Sequence, residues 1–160
     1  MYNIKKLSNN LHEQIRHKID FKTKPHGALG TLEEIALQVC KIQNTLSPSF
    51  KNPHLLVFAG DHGIAKTGLV NLFPQEVTFQ MVMNFVAGGA AVNVFAKQNG
   101  LELKVIDAGV NYDFSGIEGV IDSKIAMGTA NYLTEAAMTS QQCELSIQKG
   151  AEIVESVQQS

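Results

Sequence analysis

The chain has 160 residues, an apolar content of 44% and a formal net charge of -2 at pH 7, which fits one domain, with at most a small appendage, around a real hydrophobic core. The slightly acidic balance argues against bulk electrostatic attraction to nucleic acid or to an anionic membrane. Arg16 is the sole arginine, so a phosphate site here would rely on lysine, backbone N–H groups or a helix N-terminus.

The N-terminal segment MYNIKKLSNNLHEQIRHKID lacks the apolar h-region of a signal peptide, and no apolar run reads as long enough to span a bilayer, so a cytosolic protein is expected. Within it, Ser8 to Ile19 places Leu11, Ile15 and Ile19 at i, i+4 and i+8, one apolar stripe on a short helix. A basic, glycine-bearing loop, FKTKPHGALG, follows. Thr31-Leu32-Glu33-Glu34 has the form of a capping box, in which Thr31 would cap the Glu34 amide and that carboxylate would reach back. A second helix then runs through Ile35, Val39 and Ile42. These helices make an N-terminal helical segment, residues 1–46, ahead of a partial parallel α/β domain, residues 47–160.

After the Ser47-Pro48 and Asn52-Pro53 breaks, Leu55 to Ala59 is a continuous apolar run bounded by turn residues, the pattern of a strand buried on both faces. Lys104 to Gly109 repeats the design. Between them Val77, Met81, Val82, Phe85 and Val86 share a helical face, and a second helical run follows Gly88-Gly89. Strand, helix, strand at this separation predicts a βαβ crossover with parallel strands. A third strand over Val120 to Ala126, bearing Asp122 and Lys124, belongs near a sheet edge. Thr139-Ser140-Gln141-Gln142 is another capping box, opening a last helix through Leu145, Ile147, Ile153, Val154 and Val157. The expected fold class is α/β: a Rossmann-like parallel sheet, partial at two to three strands, with N-terminal helices.

Ligands in open parallel α/β sheets bind beyond the carboxyl ends of the strands. Both well-defined strands end with an acidic residue beside glycine, Ala59-Gly60-Asp61-His62-Gly63 and Ile106-Asp107-Ala108-Gly109, which singles out Asp61, His62 and Asp107. Two roles fit the aspartates: capping a turn by accepting backbone N–H groups, or shaping a crevice floor. Histidine as a residue type suits general-base work, which makes His62 a candidate, but no serine or cysteine stands at a signature spacing for a nucleophilic triad, and no recognised metal-ligand spacing is present. Pro74 suits the first turn of the helix after it. Phe73 and Pro74 offer a flat apolar wall and Gln80 an amide that both donates and accepts, a combination suited to a planar heterocycle; Phe73 as a plain core aromatic is the competing reading. Gly88-Gly89 is no phosphate loop and reads as close packing. Met127 to Asn131 either presents amides and a hydroxyl to the crevice or is a simple loop. Cys40 and Cys143, far apart and without C-x-x-C spacing, read as reduced, partly buried thiols.

The blocks GALGTLEEIALQVCKIQ, VFAGDHGIAKTGLVNLFPQEVTFQMVMNFVAGGAAVNVFAKQNG, LKVIDAGV and MGTANYLTEAAMT resemble, in order and separation, the N-terminal half of the nicotinate-nucleotide:dimethylbenzimidazole phosphoribosyltransferase family. That resemblance implies transfer of phosphoribose from nicotinate mononucleotide to 5,6-dimethylbenzimidazole, giving α-ribazole 5′-phosphate and nicotinate in cobalamin lower-ligand synthesis. It implies a homodimer that needs no metal or organic cofactor, with Phe73, Pro74 and Gln80 contacting the benzimidazole and Asp61, His62 and Asp107 shaping the crevice.

The same resemblance places the family's glutamate base and its glycine-rich G-x-G-N-T-T segment in the C-terminal half. The chain is therefore expected to lack both, so no catalytic residue is assigned; Glu135, Glu144, Glu152 and Glu155 do not match the missing motif. Ala136 stands where the family pattern has proline. A sheet without its later strands exposes an unpaired edge, so a homo-oligomer or a complementary C-terminal fragment is the expected partner. The alternative reading is a catalytically incomplete binding or regulatory module that retains an aromatic-base pocket.

Overall fold

The stripe Leu11, Ile15, Ile19 decides the first helix, α1 (His12–Asp20): Ile15 is buried against Leu37 and Cys40, with Leu11, Ile19 and Leu46 packed around them. The helix starts four residues later than Ser8, because Ser8 Oγ accepts the Asn10 N–H and the Asn9 carbonyl accepts the His12 N–H. Such local hydrogen bonds from short polar side chains favour turns over helix. The computed structural model describes residues 6–158, so residues 1–5 of the segment read for a signal peptide lie outside it. It divides into two units, Met1–Lys51 and Asn52–Ser160.

In the first unit α2 (Thr31–Gln43) follows Gly30, whose φ of 52° is left-handed and favours glycine. Gly30 rather than Thr31 is the N-cap, so the expected Thr31–Glu34 box does not form. Its work passes to Glu33, whose carboxylate accepts the Leu29 N–H at 3.1 Å and pairs with Lys24 at 2.9 Å. The buried face of α2 is Glu33, Leu37 and Cys40; Ile35 and Ile42 point to solvent.

The second unit is a three-stranded parallel sheet in the order β1-β2-β3. Strand β1 (His54–Gly60) pairs with β2 (Glu102–Gly109), and β2 with β3 (Val120–Asp122). The architecture is the expected α/β, Rossmann-like parallel sheet. Only β2 is buried on both faces, with Val105, Ile106 and Asp107 enclosed. The same expectation for β1 fails: it is an edge strand, and Phe58 remains 47% exposed. Strand β3 ends at Asp122, four residues short of Ala126, and lies at the opposite edge.

A 3-10 turn (Gly63–Thr67), α3 (Glu76–Val86) and α4 (Ala91–Gln98) connect β1 to β2. Val82 of α3 packs with Val105, Val110 and Phe114 in the core, flanked by Phe79, Phe85 and Val120. By length and composition alone, Glu76–Gln98 is apolar enough to cross a membrane, with mean hydropathy 1.4, contrary to the sequence reading. The turn at Gly88, with φ 79°, splits it into two helices of 11 and 8 residues, each short of the ~20 needed to span. Asn93 ties the junction: its Oδ1 accepts the Ala90 N–H and its Nδ2 donates to the Phe85 carbonyl. The last helix, α5 (Ser140–Gln158), opens on the predicted box, with reciprocal bonds between Thr139 and Gln142 at 2.9 and 3.2 Å.

Candidate functional site

The register between β1 and β2 slips where both strands end: Ala59 lies opposite Asp107, but Gly60 lies opposite Gly109. At that irregularity the two turns border a cleft of about 530 Å3, within the ~300–1,000 Å3 usual for small-molecule sites. Gly60, Asp61 and His62 form one wall. Thr129 and Ala130, with Lys149 and Ser146 of α5, form others.

The turns lock together through backbone. The Asp61 N–H donates to the Gly109 carbonyl at 3.0 Å, and the Asp61 carbonyl accepts the Thr129 N–H at 2.9 Å. The Gly63 N–H donates to Thr129 Oγ1 at 3.3 Å. A Cβ on Gly63 would lie 2.6 Å from the Thr129 carbonyl oxygen, so this crossing admits only glycine. Of the segment 127–131, residues 128–130 line the cleft with the Thr129 hydroxyl, while their N–H groups are donated to the Ala126, Asp61 and Ala137 carbonyls.

Both strand-end aspartates are buried. Asp61 Oδ2 accepts the Asn111 N–H at 2.8 Å. Asp107 Oδ1 accepts the N–H groups of Gly109 and Val110, and its Oδ2 pairs with Lys124 at 2.8 Å. Asp61 lines the cleft, whereas Asp107 is enclosed and does not line it. His62 is exposed on the cleft wall, with Nδ1 3.5 Å from Thr129 Oγ1. Nearby, two hydrogen bonds from Ser115 hold the Asp113 carboxyl below its usual range.

Phe73, Pro74 and Gln80 do not line that cleft. They sit around the start of α3 and are exposed, Phe73 to 66%; the Pro74 carbonyl accepts the Val77 N–H, but Gln75 is the N-cap, so Pro74 lies just before the helix rather than in its first turn. The two regions are joined by Asn111, whose Nδ2 donates to Gln75 Oε1 at 3.0 Å while its N–H reaches Asp61. Tyr112 stacks on Phe79 at 4.5 Å between centroids.

Sequence reasoning missed Asn111, Lys124 and the α5 lining. Gln142, Ser146, Lys149 and Gly150 recur at helical spacing, a polar stripe that the search for apolar faces passed over. Among the described residues no three His, Cys, Asp or Glu side chains converge as a metal site.

A family profile described as phosphoribosyltransferase matches residues 4–160. The chain belongs to the phosphoribosyltransferase family. It is 59% identical over 144 residues to the nicotinate-nucleotide–dimethylbenzimidazole phosphoribosyltransferase of Dechloromonas aromatica, covering 90% of this chain and 41% of that protein. The protein of the same name from Bacteroides fragilis is 46% identical over 153 residues, with coverage of 96% and 44%. The crystal structure of the Thermus thermophilus phosphoribosyltransferase of that name superposes with a TM-score of 0.81 at 38% identity, covering 91% of this chain and 44% of that one. This phosphoribosyltransferase chain thus spans about two fifths of the length of the curated relatives it matches.

Proposed function

We propose that the chain serves phosphoribosyl transfer from nicotinate mononucleotide to 5,6-dimethylbenzimidazole and supplies the aromatic-base side of that site. The observation that carries this reading is the 59% identity to the Dechloromonas aromatica enzyme over 90% of the chain. In the reaction a benzimidazole nitrogen attacks the anomeric carbon of the ribose, the bond to the nicotinate ring nitrogen breaks, and nicotinate leaves with the electron pair. The benzimidazole loses its N–H proton to a carboxylate base, which the family resemblance places in the C-terminal half. Phe73 and Pro74 supply the apolar wall and Gln80 the amide for the planar base, while Asp61, His62 and Asp107 shape the adjoining strand ends.

The chain assembles with a partner in the cytoplasm. Strand β1 is an edge whose Phe58 is exposed, and an unpaired parallel edge is a template for another strand. A second copy or a complementary polypeptide carrying the phosphate loop and the base completes the sheet and the chemistry.

Isothermal calorimetry with 5,6-dimethylbenzimidazole tests the base site. Phe73→Ala and Gln80→Ala weaken binding by about tenfold each, equivalent to ~1.4 kcal/mol, with the unfolding midpoint unchanged because both residues are exposed. Wild-type affinity in both variants defeats the assignment. Chromatographic detection of nicotinate release, with and without a C-terminal half from a relative, separates transfer from binding alone.

A further inference from the structure

Lys124 follows the short strand β3, and the fold turns its charge inward. Its side chain is 19% exposed, and its ammonium reaches Asp107 Oδ2 at 2.8 Å, the Val110 carbonyl at 2.5 Å and the Tyr112 carbonyl at 2.7 Å. It also stands 5.8 Å from the Phe114 ring centroid and 3.6 Å from Met127 Sδ. An ammonium has three protons; one carboxylate and two carbonyls match them.

The consequence is a loop held through both of its backbone polarities. Asp107 Oδ1 takes the N–H groups of Gly109 and Val110, while Lys124 takes the carbonyls of Val110 and Tyr112. Asn111 lies between the two clamped carbonyls. From there its N–H reaches Asp61 and its side chain reaches Gln75, the residue that caps α3. Tyr112 is stacked on Phe79, 13° from parallel and one residue before Gln80. The Asn111 hydrogen bonds and the Tyr112 stacking, which connect Asp61 to the start of α3, therefore leave from a loop whose carbonyls Lys124 fixes.

We propose that Lys124 is a positioning residue for the aromatic-base site: by clamping residues 110–112 it sets the start of α3 against the strand end that carries Asp61. The inference rests on the base-site reading above. Lys124 acts through Asn111 and Tyr112 and does not touch the base. A lysine that served stability alone would change the unfolding midpoint without acting through Asn111.

The test is a double-mutant cycle on the 160-residue chain, with 5,6-dimethylbenzimidazole as the calorimetric probe at a temperature where circular dichroism shows each variant folded. Lys124→Met keeps the stem and removes the charge; it lowers affinity by about tenfold. Asn111→Ala lowers affinity too, and the double variant binds no worse than Lys124→Met alone, because the two residues act in series. Lys124→Arg restores part of the loss. Wild-type affinity in Lys124→Met, or losses that add across the cycle, overturns the proposal. If Lys124→Met does not fold, the cycle is run with Lys124→Arg, whose smaller loss must likewise shrink in the Asn111→Ala background.

Failure of the wild-type chain to bind the base would defeat the base-site reading instead. Lys124 is then judged by nuclear Overhauser effects between the Tyr112 and Phe79 rings in folded variants. Their disappearance with Met, or with Arg where Met does not fold, supports the clamp; wild-type intensities overturn it.

Discussion

Replacing Gly63 with alanine puts one methyl group where two turns cross, and the outcome is large for a single carbon. Its Cβ would stand 2.6 Å from the Thr129 carbonyl oxygen and 2.7 Å from both the Ala130 carbonyl carbon and the Asn131 nitrogen. All three are backbone atoms, so no rotamer change relieves the clash. The separations must open toward the 3.4 Å at which ordinary contact begins, and that movement strains the Asp61–Thr129 and Gly63–Thr129 hydrogen bonds. Overpacking costs ~1–3 kcal/mol and each weakened bond ~1 kcal/mol, while the stiffer unfolded chain returns ~0.4–1 kcal/mol. The net expectation is a loss of about 3 kcal/mol. At a urea dependence of ~1–3 kcal/mol/M, the midpoint followed by far-ultraviolet circular dichroism falls by at least ~1 M. Gly60→Ala is the internal control: its Cβ meets nothing closer than 3.9 Å, so its stability stays within ~0.5 kcal/mol of wild type. Equal midpoints for the two variants refute the crossing of residues 61–63 with 128–131.

Two further outcomes concern the thiols and the first unit. The Glu33 carboxyl is held below its ordinary range, first by its hydrogen bond with Lys24 and then by the Leu29 N–H. A depressed folded pKa contributes stability that is fully present above the unfolded value and is lost as pH falls through the folded one. Glu33→Gln therefore lowers the thermal midpoint at neutral pH and flattens its decline below about pH 4.5; an unchanged acid limb contradicts the Lys24–Glu33 pairing. The thiols also separate. Cys143 is exposed, against the partly buried reading, and Cys40 is buried, so a thiol reagent labels one cysteine at once and the second only as α2 opens. Rapid labelling of both would mean that Ile15 and Leu37 do not cover Cys40.

What could be read in the sequence was whatever is periodic or local. The run Lys104 to Gly109 announced β2, and the Thr139–Gln142 box announced α5, because strand burial and helix capping are written within a few residues. The Thr31 box failed for a local reason as well: Gly30 took the cap and Glu33 reached Lys24, upstream of the helix, a partner that spacing rules do not search. Phe58 misled because an apolar run records the wish for burial on two faces, and Phe58 lines the open cleft instead. Lys124 was read as an edge charge; its three acceptors lie 12 to 17 residues away along the chain, beyond any periodic pattern.

The strand-end aspartates show how the two readings of a single residue type are reconciled by geometry. Asp107 is enclosed and uses both oxygens, one on backbone N–H groups and one on Lys124, so its chemistry is directed inward and its effect on a ligand must travel through the loop it holds. Asp61 is also a cap, through Asn111, yet it forms part of the cleft wall and joins that wall to the loop that reaches Gln75. Turn and site are therefore one object here. The hydrogen bonds that join the two glycine-bearing turns also tie the cleft wall, through Asn111, to Gln75 at the start of α3. At the base site proposed for Phe73, Pro74 and Gln80, a substitution that loosens the turns is expected to weaken 5,6-dimethylbenzimidazole affinity without touching the base, and unchanged affinity in such a variant contradicts the link.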